Sequence, residues 1–179
     1  VAAETQRGAI RLSQVNPDSD PTDSVGGVSF RHLSMLAQIK SSDGDVWSSL
    51  NRSGHIEGDP SDSLRVRLAR MRSWIGGAHF PEDAKLEIRS EIGDDARAEI
   101  GRDGIAFLRI LSGLLSECEW TDAGIGESIS EACDSTGFSR KEGFSSIYWA
   151  VIGRRHGPKA SSLLLEMDRG DIVSLLGSS

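Results

Sequence analysis

The sequence has few aromatic residues, only two cysteines, no excess of positive charge and no long apolar run. Twenty Lys and Arg stand against 27 Asp and Glu, a formal net charge of −7. A generally basic body that would hold a nucleic acid is therefore excluded, and any such partner needs a local basic patch. Cys118 and Cys133 build neither a disulfide framework nor a metal knuckle, and they read as small core residues in a reducing compartment. No stretch approaches the roughly 18 apolar residues of a membrane span. The opening Val1-Ala2-Ala3-Glu4 has no basic region leading into an apolar one, so it is no signal peptide. The expected setting is cytoplasmic, without a membrane partner. The missing initiator methionine points to processing or to a piece cut from a longer chain.

Catalytic signatures are absent too. There is no Gly-x-x-x-x-Gly-Lys-Ser/Thr phosphate loop, no Gly-x-Gly-x-x-Gly and no His-Glu-x-x-His. His32, His55, His79 and His156 lie far apart, and no spacing suggests a metal site. The many carboxylates scatter over helix faces without a pairing for acid–base work. No catalytic residue, no metal and no cofactor is expected of this chain.

What the sequence does contain is helical periodicity. Residues 1–27 are polar, with Asn16-Pro17-Asp18-Ser19-Asp20-Pro21 reading as loop, and form an arm or linker with at most a short helix near Ile10 to Leu12. Phe30, Leu33, Leu36 and Ala37 recur at helical spacing up to Lys40, and a short helix follows over 45–52. Asp59 as cap and Pro60 at the first position predict the next helix, with Leu64, Leu68, Met71 and Ile75 on one face and Gly76-Gly77 as its stop. Pro81 opens a short helix through Leu86 and Ile88. A long helix spans Asp94 to about Glu117, and a further one runs from Thr121 to Gly137. Ser139-Arg140-Lys141-Glu142 is a capping box before Phe144, Ile147, Tyr148, Val151 and Ile152, which define one buried face. Short helices around 163–167 and 172–176 close the chain. No strand alternation or internal repeat appears. The fold class is all-α, a helical bundle, divided into a helical connecting region over 28–93 and a C-terminal bundle over 94–179. Twenty glycines and 37% hydrophobic residues predict modest stability, since each interior helical glycine costs about 1 kcal/mol against alanine.

Two basic clusters stand out. On the helix after Pro60, Arg65 and Arg72 flank the apolar stripe on one side, and Arg67 and Arg70 on the other. Snorkelling arginines on a solvated helix account for them. The second cluster is Arg154-Arg155-His156-Gly157-Pro158-Lys159, where cations also suit a helix C-terminus. Arg140 and Lys141 stand one helix length away, and Trp149 lies about 100° around from the apolar face. Guanidiniums, an aromatic ring and a Gly-Pro turn with open backbone are what single-stranded RNA recognition uses.

The run Gly143-Phe144-Ser145-Ser146-Ile147-Tyr148-Trp149-Ala150-Val151-Ile152-Gly153-Arg154-Arg155-His156-Gly157-Pro158-Lys159 resembles the end of class I lysyl-tRNA synthetases. In that family a helix of the form Phe-x-x-(aliphatic)-Tyr-x-(aliphatic)-(aliphatic)-Gly leads into a basic Gly-Pro turn and a leucine-rich helix pair. Val28-Ser29-Phe30-Arg31-His32-Leu33 is similar to the family's Val-Pro-(aromatic)-Arg-(His or Leu)-Leu segment. Arg70-Met71-Arg72-Ser73-Trp74-Ile75 with Phe80-Pro81-Glu82-Asp83 looks like its Ala-x-x-Trp-(aliphatic) stretch before a Pro-Glu-Glu turn. The resemblance covers roughly residues 25–177, in matching order.

The resemblance implies a helical cage that receives the anticodon of a lysine-accepting tRNA. Carried over by position, from the Gly-Pro turn of the related glutamyl-tRNA synthetases, it implicates His156, Gly157, Pro158, Lys159 and Ala160 near the anticodon bases, with Arg154 and Arg155 on phosphates. Arg140, Lys141 and Trp149 complete the expected tRNA-binding set. The sequence departs from the family in Lys159-Ala160-Ser161-Ser162, where Arg-Leu-Gly-(aromatic) is usual, and in Met167-Asp168, where Leu-Gly is usual. The His-Ile-Gly-His and Lys-Met-Ser-Lys-Ser motifs, which bind ATP in class I enzymes, are missing. The expectation is an anticodon-binding domain of a lysine–tRNA ligase whose ATP-binding catalytic domain is a partner in cis or in trans. A free-standing paralogue that binds tRNA or a synthetase, and a helical protein-interaction module, are the rival readings.

Overall fold

A computed structural model describes residues 27–178, and these form two compact units that meet at Phe80 and Pro81. The arm expected over 1–27, apart from Gly27, and the short helix near Ile10 lie outside the described residues. Among the described residues all regular structure is helical, and no helix is long and apolar enough to cross a membrane.

The first unit holds α1 (Phe30–Ile39), α2 (Asp43–Arg52) and α3 (Asp62–Ile75). Each starts at a serine whose hydroxyl accepts a free backbone N–H of the first turn: Ser29 from His32, Ser42 from Asp45 and Ser61 from Leu64. Such a cap stabilises a helix by about 1 kcal/mol. The expected cap at Asp59 is therefore displaced by two residues, and Pro60 is buried ahead of the helix instead of opening it. Helices α1 and α3 pack together, and Leu33, Leu36, Leu64 and Leu68 on them are fully buried. Arg72 locks the pair. Its guanidinium donates to the carbonyls of Ala37 (3.1 Å) and Lys40 (3.2 Å) at the end of α1, and to Asp43 Oδ1 (2.7 Å) at the start of α2.

The second unit begins with a 3-10 turn, Glu82–Ala84, and a segment without helix up to Gly93. The helix expected through Leu86 and Ile88 does not form. Instead Arg89 N–H donates to the carbonyl of Val151 (2.8 Å), so the segment's hydrogen bonding is tertiary. Then come α4 (Asp94–Glu117), α5 (Asp122–Thr136), α6 (Arg140–Ile152), α7 (Ala160–Leu165) and α8 (Arg169–Gly177). Helix α4 is the axis against which α5, α6 and α8 pack. It has the expected ends, but its backbone breaks at Gly101, at φ +68° and ψ 175°. Phe107 is fully buried at its centre and stacks on Phe138 at 5.6 Å. Past the end of α4, Arg169 donates to the carbonyls of Leu115, Ser116 and Cys118 and lies 5.5 Å from the Trp120 ring.

The buried face of α6 is rotated from the expected one. Phe144 is exposed, while Gly143, Ile147, Ala150 and Val151 face the core. The cause is Gly143, where a Cβ would lie 2.7 Å from Cys133 Sγ and 3.1 Å from the Phe107 ring. Close approach at Gly143 turns its bulky neighbour outward. Helix α7 starts at Ala160 and ends at Leu165, three residues earlier at its start than the leucine pattern suggests.

Candidate nucleic-acid interface

Of the ten expected tRNA-binding residues, Arg140 and Lys141 open α6, Trp149 lies within it, and 154–160 follow its end; the helix is about 20 Å long at 1.5 Å per residue. At its start the capping box forms as read: Ser139 Oγ accepts the Glu142 N–H, and Glu142 accepts the Ser139 N–H at 3.0 Å. The Ser139 hydroxyl and backbone amide hold the Glu142 carboxyl below its ordinary range. Lys141 is exposed. Arg140 is exposed and donates to Ser130 Oγ on α5. Trp149, in the middle of the helix, is half-buried.

At the other end the chain leaves the helix at Gly153, which takes the left-handed conformation at φ +63°. A side chain there is excluded twice, by the dihedral and by the Arg89 guanidinium lying against the Cα. Arg89 is held in turn by a two-pronged pair with Asp95, at 3.0 and 2.8 Å. Hydrogen bonding to Arg89 lowers the Asp95 carboxyl to about 2 and raises the guanidinium.

The following turn separates two arginines that look alike in sequence. Arg154 turns back to the 3-10 turn and donates to the carbonyls of Glu82 (2.8 Å) and Asp83 (2.5 Å). Arg155 and His156 are exposed. Gly157 lies flat on the helix, where a Cβ would come within 2.8 Å of Ile152 Cδ1 and 2.9 Å of the Tyr148 ring. The Tyr148 hydroxyl donates to the Pro158 carbonyl, and burial raises its pKa. The turn is thus anchored at Arg154, Gly157 and Pro158, with Arg155 and His156 projecting between the anchors.

Lys159 is exposed and pairs with Asp122 at the start of α5. Asp122 also accepts the hydroxyls of Ser161 (2.9 Å) and Ser162 (3.0 Å). Burial pushes the Asp122 carboxyl up, but Lys159 and the two hydroxyls outweigh it and hold the group below its ordinary value. Ala160 is buried, so its side chain faces the core and only its backbone is near the turn. Beside this corner an open groove runs along α5, lined by Asp122, Glu127, Glu131 and Asp134 among others. Phosphate approaching the turn therefore meets cations on the α6 side and carboxylates on the α5 side.

Arg89 and Asp122 are the residues that sequence reasoning passed over. Asp122 lies 37 positions from Lys159, and nothing in its local pattern names that partner.

No protein-family model matches the chain. It is 26% identical over 176 residues to a lysine–tRNA ligase of Pyrococcus horikoshii, which covers 93% of this chain and 32% of that protein. The chain resembles part of a lysine–tRNA ligase. The ligase of Methanopyrus kandleri is 27% identical over 177 residues, 91% of this chain and 31% of its own length. That of Aeropyrum pernix is 26% identical over 97% of this chain and 32% of its own length. The chain thus spans about a third of the ligases it matches, while they match nearly all of it.

Proposed function

We propose that the chain is a tRNA-binding helical domain that receives the anticodon of a lysine-accepting tRNA. In this reading it positions the tRNA for a ligase's catalytic domain, joined in cis or acting in trans in the cytoplasm. The observation that carries the reading is the similarity to several lysine–tRNA ligases along more than nine-tenths of the chain but only a third of their length. The ATP-binding motifs sought in the sequence are missing from it, which fits a domain that binds and orients the tRNA while chemistry happens elsewhere.

The geometry divides the work. Arg155 and Lys141 are exposed cations suited to phosphates, and they set register without reading sequence. In this reading His156 and the backbone around Gly157 meet base edges, and the Tyr148 hydrogen bond to Pro158, which holds the turn in shape, supports it. Arg154 also acts through the turn: its guanidinium donates to Glu82 and Asp83 and so helps to hold Arg155 and His156 in place.

The test is a titration of the chain with a lysine-accepting tRNA and a non-cognate tRNA at about 50 and about 200 mM salt. Preferential binding that weakens steeply with salt, and that weakens further in Lys141→Ala/Arg155→Ala, is expected. Absence of binding at low salt, or binding indifferent to salt, contradicts the reading.

A further inference from the structure

Charge is divided unequally between the two units. The first unit, Val1–Phe80, contains nine Lys and Arg against nine Asp and Glu, a balance of zero in a chain whose total is −7. Residues 81–178 contain eleven against eighteen. Within the first unit the arginines concentrate on α3, which has four and a single acid, Asp62, in its first turn.

The structure sorts these four. Arg72 is engaged with α1 and Asp43, and Arg65 Nε donates to the Pro60 carbonyl (3.3 Å). Arg67 and Arg70, on the opposite flank, make no hydrogen bond or ion pair with any described residue. At about 100° per residue, Arg67, Arg70 and Trp74 fall within about 60° of arc. Trp74 is 41% exposed, and Phe30, the most exposed large apolar residue at 51%, sets its ring 5.9 Å away. Phe80 meets Trp74 edge-on at 4.7 Å and fixes it from the buried side. Arg31, next to Phe30, is exposed as well.

We propose that this flank of α3, with Arg67 and Arg70 beside Trp74 and Phe30, is an RNA-binding surface separate from the turn after α6. Two guanidiniums without a partner among the described residues, on a unit that lacks the acidic excess of the second, complement a polyanion. Two exposed rings offer faces on which unstacked bases pile, a contact tolerant of sequence. A protein partner fits less well, since it must supply a carboxylate for each unpaired guanidinium around only two rings. The ligand class is single-stranded or looped RNA. The surface adds affinity without base identity, and anticodon preference stays with the turn. The choice of RNA as partner rests on the tRNA-binding reading.

The experiment uses the full chain, a lysine-accepting tRNA and a polyuridylate oligonucleotide as probes. Arg67→Ala/Arg70→Ala is expected to weaken both probes and to flatten the salt dependence by about one to two in log–log slope. Trp74→Ala is expected to weaken polyuridylate about tenfold, and Trp74→Phe to retain most of it, which also controls for lost packing on Phe80. Unchanged affinity and slope in Arg67→Ala/Arg70→Ala, with binding still lost in Lys141→Ala/Arg155→Ala, overturns this surface and leaves the tRNA-binding reading intact; the face then belongs to a protein contact. No RNA binding by the unaltered chain overturns both.

Discussion

Two short basic segments, helix α3 with four arginines and the turn after α6 with two, behave differently. On α3 the free pair stands in a unit whose acids and bases balance, on a helix whose single acid is at its far end. After α6 the free arginine stands in a unit with seven more acids than bases, and Lys159, four residues on, lines a groove with four carboxylates. The first segment is built for attraction. The second is built for shape, with Gly153, Gly157, Tyr148 and Arg154 holding one conformation of a turn. The lesson is that counting arginines does not measure available charge. In each segment some guanidiniums already serve backbone carbonyls, and the remainder are the freer to meet a ligand.

The comparison can be broken most forcefully from beneath. Leu68 under α3 and Ile147 under α6 are both fully buried, so either change to alanine is expected to cost about 2–5 kcal/mol. Urea denaturation measures this, and a loss below 1 kcal/mol for either would show that its helix is not anchored as described. Next in size is Gly157→Val. Its side chain collides with Tyr148 and Ile152, with an expected cost of about 1–3 kcal/mol. It should abolish preference for the lysine anticodon while leaving polyuridylate binding in place; parallel loss of both would merge the two surfaces into one.

A smaller effect separates the neighbouring arginines. Arg154→Ala is expected to lower stability by about 1 kcal/mol, since it leaves two carbonyls without their donor. Arg155→Ala is expected to stay within about 0.5 kcal/mol. In RNA affinity at fixed folding the charge lost at Arg155 should matter more, and equal effects of the two on melting would contradict the sorting.

The smallest effect is a pH dependence. Asp95 is lowered to about 2 by Arg89, so its pairing stabilises the fold above the ordinary carboxylate value and is lost as pH falls from about 4 toward 2. Comparison of melting curves for the unaltered chain and Asp95→Asn should show a difference at neutral pH that closes over that interval. A difference that widens on acidification would mean the opposite sign.

Much of this architecture is legible from residues alone, because helix starts and stops are local. Ser139 and Glu142 declare a capping box within four positions, and Gly137 and Gly153 end α5 and α6 in the left-handed conformation. Failures come where a distant partner decides. Pro81 promises a helix, but the Arg89 N–H donates to the carbonyl of Val151, 62 positions on. Phe144 fits the apolar period of α6, but Gly143 against Phe107 and Cys133 rotates the helix away from it. The site shows the same division. Its residue types are visible in the run from Arg154 to Lys159, but the opposite roles of Arg154 and Arg155 depend on carbonyls 71 and 72 positions upstream.

The most direct measurement is the affinity of the full chain for an isolated anticodon stem-loop of a lysine-accepting tRNA, against the same stem-loop with its anticodon bases replaced. Our account predicts that the lysine loop binds at least about tenfold more tightly, a difference of about 1.4 kcal/mol, and that Gly157→Val erases the gap. Equal binding of the two loops by the unaltered chain would contradict it.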